Sequence, residues 1–371
     1  MREHLLDVYR PAQPTTGIHA GAAPAFRRYH GPPWPMVFYI HGGGFRILSK
    51  DTHWVMGLSF ARRGFVVFNT SYRLAPKHRF PCAIEDVCRS FVWAVRNAER
   101  FGADPTRVII AGESAGANLA ASLAITLAYE REEPWAKEAF ATGVIPKAVV
   151  PACGVFQVSD MARLSRRKPG MSAFIADRLR EVESAYLGPV APGCSTDLAD
   201  PLLVFERGEK PARPLPPFFL PVGTKDPLLP DTRRMAEALR ALGTEAVDAY
   251  YPGQIHAFHA LVMRAPRASA GETRSRSWTS TSPKHERDRP GPSSQEARSI
   301  LRRTTGQVDA SCQAAATYEK NAPLLRGSCE SLARLLQPVT LPHGTPEPDS
   351  FRRKRATLSA SRRSRRQGAH A

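Results

Sequence analysis

Three short stretches of this sequence bring together residue types that do chemistry. The first is Val108-Ile109-Ile110-Ala111-Gly112-Glu113-Ser114-Ala115-Gly116-Ala117-Asn118. An apolar, β-branched run ends in small residues, and the Ala- and Leu-rich segment 119–127 follows. That succession predicts a strand, a sharp turn and a helix. A serine at such a corner crowds its neighbours, so Gly112 and Gly116, two residues to either side, must lack bulk. In return the Ser114 hydroxyl stands clear of the backbone, and the first amides of the new helix point at whatever it attacks. A glycine-rich turn that merely contains serine is the competing reading, and the flanking strand and helix weigh against it.

The second stretch is His41-Gly42-Gly43-Gly44. A hydroxyl attacking a carbonyl creates a tetrahedral oxyanion that needs hydrogen-bond donors already aimed at it. Consecutive glycines let backbone amides reach a ligand with no side chain in the way. A phosphate-binding loop is the alternative, but neither Gly-x-x-x-x-Gly-Lys-Ser/Thr nor Gly-x-Gly-x-x-Gly is present. The third stretch supplies a base and its orienter, expected downstream in the order serine, acid, histidine. Asp226, in Gly223-Thr224-Lys225-Asp226-Pro227, follows a predicted strand. Asp231 and Asp248 compete with it, the former fitting a helix N-cap region and the latter lying inside a strand. His256 and His259 both fall after the last strand, and His256, nearer the strand end, is preferred.

These side chains need a frame, and the sequence supplies alternating elements. Strands are predicted at 36–40, 65–69, 148–150, 218–222 and 246–251, with helices at 51–63, 83–100 and 235–242. Asp104-Pro105-Thr106 is expected to turn the chain into the strand before Ser114. Strands alternating with helices argue an α/β fold, a mainly parallel sheet covered on both faces. There is no internal repeat.

The chain has 371 residues, enough to bury a large core, and a net charge of +18. That charge suggests a nucleic-acid partner until it is located. Residues 265–371 hold 20 Lys and Arg against 9 Asp and Glu, so +11 lies there. This stretch is rich in Pro, Ser, Thr and Arg and ends in two arginine clusters, a composition that cannot offset its ordering entropy by burial. The expected organisation is a domain over 1–264 and a mostly disordered basic tail over 265–371, with one short helix at 328–336. Arginine runs bind phosphate in a salt-dependent way, but no aromatic interleaving supports specific nucleic-acid recognition. No apolar run reaches the ~18 residues of a membrane span. Six scattered cysteines lack CxxC or metal-ligand spacing, so reduced thiols and a cytoplasmic location are expected, with no metal and no cofactor.

Together, His41-Gly-Gly-Gly-Phe45, Tyr72-Arg-Leu-Ala-Pro-Lys-His-Arg-Phe-Pro81, Gly112-Glu-Ser-Ala-Gly-Ala-Asn118, Gly223-Thr-Lys-Asp-Pro-Leu228 and Ile255-His-Ala-Phe-His259 resemble the hormone-sensitive-lipase-like group of α/β-hydrolases. The likeness runs from about Val8 to Arg264. It implies the α/β-hydrolase fold with a small cap insertion at about 151–208, where 172–187 reads as a helix. It implies Ser114 as nucleophile, with Asp226 and His256 as partners. Gly43, Gly44 and Ala115 are then the oxyanion amides, supported by His41, Gly42 and Glu113. The implied activity is hydrolysis of small carboxylic esters through an acyl-enzyme. An arylformamide or acetamide hydrolase is the runner-up, and a catalytically silent ligand receptor on the same fold the third reading. Two departures stand out. Few residues precede His41 to contribute to a cap, and after Met263 the amphipathic helix usual in the family gives way to Arg/Pro/Ser-rich sequence. A change of reading frame in the source gene is the leading explanation of the second, and an appended interaction tail the alternative. Natural ester and oligomeric state are not written in the sequence.

Overall fold

A parallel β-sheet carries every loop that bears a candidate side chain. The structure is a computed structural model that describes residues 5–11, 32–167, 170–189, 195–258 and 354–357. Two compact units divide the chain, Met1–Val262 with Leu335–Ala371 and Met263–Arg334, and all described residues belong to the first. Eight strands are described: β1 (Leu5–Tyr9), β2 (Trp34–Ile40), β3 (Val66–Thr70), β4 (Ala103–Glu113), β5 (Ala148–Ala152), β6 (Phe218–Gly223), β7 (Ala246–Tyr251) and β8 (Lys354–Thr357). Their order across the sheet is β7-β6-β5-β4-β2-β3-β1-β8. The six strands from β7 to β3 run parallel, and β1 is antiparallel to β3.

The helices α1 (Trp54–Ala61), α2 (Cys82–Asn97), α3 (Ala115–Ala128), α4 (Pro134–Phe140), α5 (Ala162–Arg167), α6 (Ala173–Tyr186), α7 (Pro201–Glu206) and α8 (Leu229–Ala241) connect the strands. Because helices cover both faces of a parallel sheet, its central strands are apolar throughout. β2 is buried along its whole length. Phe38 of β2 meets Phe91 of α2 edge to face, with ring centroids 5.3 Å apart. α2 is amphipathic, burying Ile84, Val87, Cys88 and Phe91 at the three-and-four spacing of one face. α3 is buried on every side. Its alanines let neighbouring elements approach closely, and its polar residues are used internally. Asn118 donates to the carbonyls of Val155 (2.7 Å) and Ala199 (2.8 Å), and Ser122 Oγ to that of Leu198 (2.8 Å). The nucleophile helix is thereby tied to both ends of the insertion between β5 and β6.

The architecture expected from the sequence holds, with local differences. Asp104-Pro105-Thr106 lies within β4 rather than in a turn, opposite a register irregularity between Pro35 and Met36. α8 begins at Leu229, one turn and more before 235, because Pro230 fits the first helical turn. β1, absent from the expected strands, adds to the sheet edge, with Leu6 and Val8 in the core and Asp7 paired to the buried Lys50 at 3.2 Å. In the basic tail, Lys354–Thr357 pairs with β1, a strand that composition did not suggest. The rest of 265–371, including the expected helix at 328–336, lies outside the described residues.

Candidate active site

Ser114, Asp226, His256 and the glycine loop all follow the carboxyl ends of parallel strands, where the crevice of an open α/β sheet forms. β4 ends at Glu113 and α3 starts at Ala115, leaving Ser114 alone at the corner with φ 55° and ψ −115°. A positive φ of this kind costs a non-glycine residue about 1–3 kcal/mol, so the surroundings must hold it. They do so by close packing and by backbone bonds. A Cβ on Gly116 would lie 2.2 Å from the Ile40 carbonyl oxygen, and one on Gly112 would lie 2.5 Å from that of Gly116. The Ser114 amide donates to Ala152 O at 3.0 Å, fixing the corner to the end of β5.

The structure brings Ser114, His256 and Asp226 into one hydrogen-bonded chain. His256 Nε2 lies 2.9 Å from Ser114 Oγ, and His256 Nδ1 lies 2.9 Å from Asp226 Oδ2. A carboxylate only accepts, so Nδ1 carries the proton and bare Nε2 faces the hydroxyl. Asp226 is buried, and its other oxygen accepts the Leu228 amide at 2.8 Å. The loops after β6 and β7 are bound to each other through the backbone. Thr224 N donates to Tyr251 O (3.0 Å), Lys225 N to Gln254 O (2.9 Å), and Gly253 N to Thr224 Oγ1 (2.8 Å). Gly223 is required there, since a Cβ would lie 2.3 Å from Gln254 O. The competing acids are engaged elsewhere. Asp231 pairs with Arg163, and Asp248 with Arg240 and Tyr250. His259 lies outside the described residues.

The glycine loop follows β2, with Gly43 and Gly44 at φ 103° and 58°. Among the described residues no loop hydrogen bond uses their amides. Ala115, first residue of α3, likewise has an amide with no intrahelical acceptor. The Gly43 carbonyl is occupied by the amides of Arg46 (3.0 Å) and Ile47 (3.1 Å). A Cβ on Gly43 would lie 2.2 Å from Ile47 O, so no other residue fits this turn.

A network that local sequence did not reveal holds this loop. Glu113 Oε1 accepts the Gly42 amide at 3.0 Å and lies 2.6 Å from His53 Nε2, while Tyr39 donates its hydroxyl to Oε2. Thr52 Oγ1 gives its own proton to Ser49 O, so His53 Nδ1 donates to Thr52 Oγ1 at 2.9 Å. The remaining His53 nitrogen and Glu113 therefore share a proton-mediated contact. His41 stacks on Tyr72, centroids 4.3 Å apart, and its Nδ1 donates to Gly42 O at 2.7 Å. The Tyr72 hydroxyl caps the carbonyls of His41 (3.0 Å) and Gly42 (3.2 Å). Burial lowers the His41 pKa to about 3, against the opposing pull of the Gly42 carbonyl, so this imidazole is neutral. A separate thiol lies behind the base: Cys153, at the end of β5 with φ 41°, is fully buried, and burial and then Asp226 push its pKa up.

The insertion covers the glycine loop. Tyr186 of α6 stacks on Phe45 with centroids 3.7 Å apart, and Arg46 pairs with Glu181 at 2.5 Å. Val182 Cγ2 lies 3.0 Å from where a Gly44 Cβ would stand. Ile47, Leu48, Phe174 and Ile175 are apolar side chains left exposed.

Comparison with known proteins agrees with this fold. The carboxylesterase NlhH of Mycobacterium tuberculosis (strain ATCC 25618 / H37Rv) is 30% identical over 243 residues, covering 63% of this chain and 70% of that protein. The carboxylic ester hydrolase LipN of the same organism is 32% identical over 262 residues, 68% of this chain and 65% of that protein. The crystal structure of carboxyl esterase 2 from the mycorrhizal fungus Tuber melanosporum shares the fold, with a TM-score of 0.51 at 21% identity, covering 61% of this chain and 70% of that one. A family model of the alpha/beta hydrolase fold matches residues 37–260. The chain belongs to that family, as its resemblance to the hormone-sensitive-lipase-like group implied.

Proposed function

We propose that this protein is a carboxylesterase in which Ser114 is the nucleophile, His256 the general base and Asp226 the residue that orients it. The observation that carries the reading is the unbroken chain from Ser114 Oγ through both nitrogens of His256 to Asp226, each link 2.9 Å long. His256 Nε2 takes the hydroxyl proton as Ser114 Oγ attacks the ester carbonyl, and Asp226 stabilises the resulting imidazolium. The oxyanion is received by the amides of Gly43, Gly44 and Ala115. One such donor contributes on the order of 3 kcal/mol. His256 returns its proton to the departing alcohol, leaving an acyl-Ser114, and then activates water to release the acid. The relatives named as carboxylesterase and carboxylic ester hydrolase support ester rather than amide as the substrate class.

The catalytic groups all belong to residues 1–264, and from the stretch 265–371 the strand Lys354–Thr357 joins their sheet. We place the protein in the cytoplasm, supported by the free thiols of Cys82, Cys88 and Cys153. Among the described residues no helix is long and apolar enough to cross a membrane.

The test is hydrolysis of p-nitrophenyl esters of increasing acyl length. Acyl groups of about two to eight carbons should be preferred, since a buried methylene contributes only ~0.8 kcal/mol and needs room under α6. Rates that keep rising up to sixteen-carbon esters would contradict a confined acyl site, and absence of esterase activity with any of them would remove the assignment.

A further inference from the structure

Beside the two catalytic groups Asp226 and His256 lies a third donor, the Cys153 thiol, which has no part in ester hydrolysis. Cys153 Sγ, an Asp226 carboxylate oxygen and a His256 ring nitrogen all lie within 4.8 Å of one another. They come from three separate chain segments, the ends of β5, β6 and β7, and converge because parallel neighbours end at the same edge. The Cys153 amide is bonded to Pro221 O at 2.9 Å, which fixes this residue beside the strand leading to Asp226. The residue is fully buried there, while His256 itself keeps a side chain 35% exposed.

We propose that Cys153, Asp226 and His256 form a binding site for a zinc ion, and that an ion bound there switches the hydrolase off. The donor set is one soft thiolate, one borderline imidazole and one harder carboxylate, all of them ligands that zinc takes in four-coordinate sites. Thiolate and carboxylate together neutralise the 2+ charge, so the occupied site is electrically balanced within a buried pocket. Around tetrahedral zinc, donors stand about 3.5 Å apart. The widest spacing in the cluster must therefore contract by about 1 Å, within reach of a tilt of the half-exposed imidazole. Water takes the fourth position.

The proton account explains the inhibition. Zinc binding to sulfur releases the thiol proton to solvent. The ion replaces the Nδ1 proton's hydrogen bond to Asp226 with a bond from Nδ1 to the metal, and the ring's proton moves to Nε2. Nε2–H then donates to Ser114 Oγ, where it previously accepted. The histidine can no longer take the serine proton, although every catalytic side chain is still present. Zinc binding stands independently of the proposed function; its effect on turnover rests on that reading.

The experiment has two arms that fail separately. Zinc affinity is measured by competition with a chromophoric chelator on the full chain carrying Ser114→Ala, so that turnover plays no role. One zinc per chain is expected to bind in the presence of Cys153 and to weaken by about tenfold or more in Ser114→Ala/Cys153→Ala, the least that loss of a ligand should cost. In the second arm, zinc is titrated into p-nitrophenyl acetate hydrolysis. The unsubstituted chain should be inhibited and recover with EDTA, whereas Cys153→Ala should hydrolyse the ester and resist zinc to about tenfold higher concentration. If Cys153→Ala does not fold, Cys153→Ser retains the side-chain volume with a harder oxygen donor and should show the same loss. Equal zinc affinity with and without the thiol, or no zinc bound, overturns the site. Binding without inhibition overturns the switch and leaves the site. Lack of esterase activity before zinc is added counts against the proposed function and leaves the binding arm intact.

Discussion

Two regions meet at Ser114, and they are held by different means. The glycine loop and its surroundings form a knot of buried side chains. Glu113 bonds to Gly42, His53 and Tyr39, while His41 stacks on Tyr72. The loop bearing His256 is fastened to the loop bearing Asp226 mainly through backbone amides and carbonyls, and its histidine is partly exposed. An oxyanion site works only if its donors are fixed before charge develops, so a rigid, over-determined knot suits it. The histidine must instead exchange protons with serine, leaving group and water in turn. Substitutions in the first region should therefore act on fold and rate together, whereas those in the second should act on rate alone.

Ser114→Ala and His256→Ala should each lower kcat/KM for p-nitrophenyl acetate by at least ~10³-fold with no change in thermal unfolding, and His259→Ala by under ~10-fold. Comparable losses at both histidines would remove the distinction between them. Next, Glu113→Ala should cost about 10²-fold in kcat with KM little changed, since the oxyanion amides act on the transition state. It should also lower the unfolding midpoint, because it strands His53 and Tyr39. A kcat loss with unaltered stability would show that the knot is not structural.

A third outcome concerns pH. His41 titrates near its ordinary value of 6.5 when unfolded but only near 3 when folded. Between these values the unfolded chain binds more protons, so stability is fully present above 6.5 and falls as the pH drops through that window. The slope is about 1.4 kcal/mol per pH unit for this group. Urea unfolding at pH 7 and pH 5 should show this fall, and His41→Gln should reduce it. An unchanged pH dependence in His41→Gln would mean that this histidine is charged in the folded protein. The smallest effect belongs to the backbone-held region. Thr224→Val removes the hydroxyl that accepts the Gly253 amide and should lower kcat by less than ~10-fold, with stability within about 0.5 kcal/mol.

The contrast also explains what the sequence could reveal. Ser114, Gly43, Gly44, Asp226 and His256 were legible because each sits in a short loop after a strand, and a strand end shows itself within a few residues. The bonds joining Glu113 to Tyr39 and His53 were not. They link residues from different strands and turns, and nothing near His53 marks it as facing a carboxylate. Only the order of strands in the sheet places β2 beside β4 and brings these groups together. For the same reason Cys153 read as a scattered thiol. Its nearness to Asp226 and His256 arises from the alignment of β5, β6 and β7, which no local pattern encodes. Helix starts were blurred where a proline stood inside the first turn, as at Pro230, because proline signals both a break and a beginning.

The central claim is that Ser114 is the atom source for the acyl-enzyme. It is tested most directly by treating the full chain with a fluorophosphonate and locating the adduct by peptide mass spectrometry. One phosphonate per chain is expected, on Ser114, with labelling lost in Ser114→Ala and greatly slowed in His256→Ala. An adduct on another residue, or equal labelling of Ser114→Ala, would contradict the account.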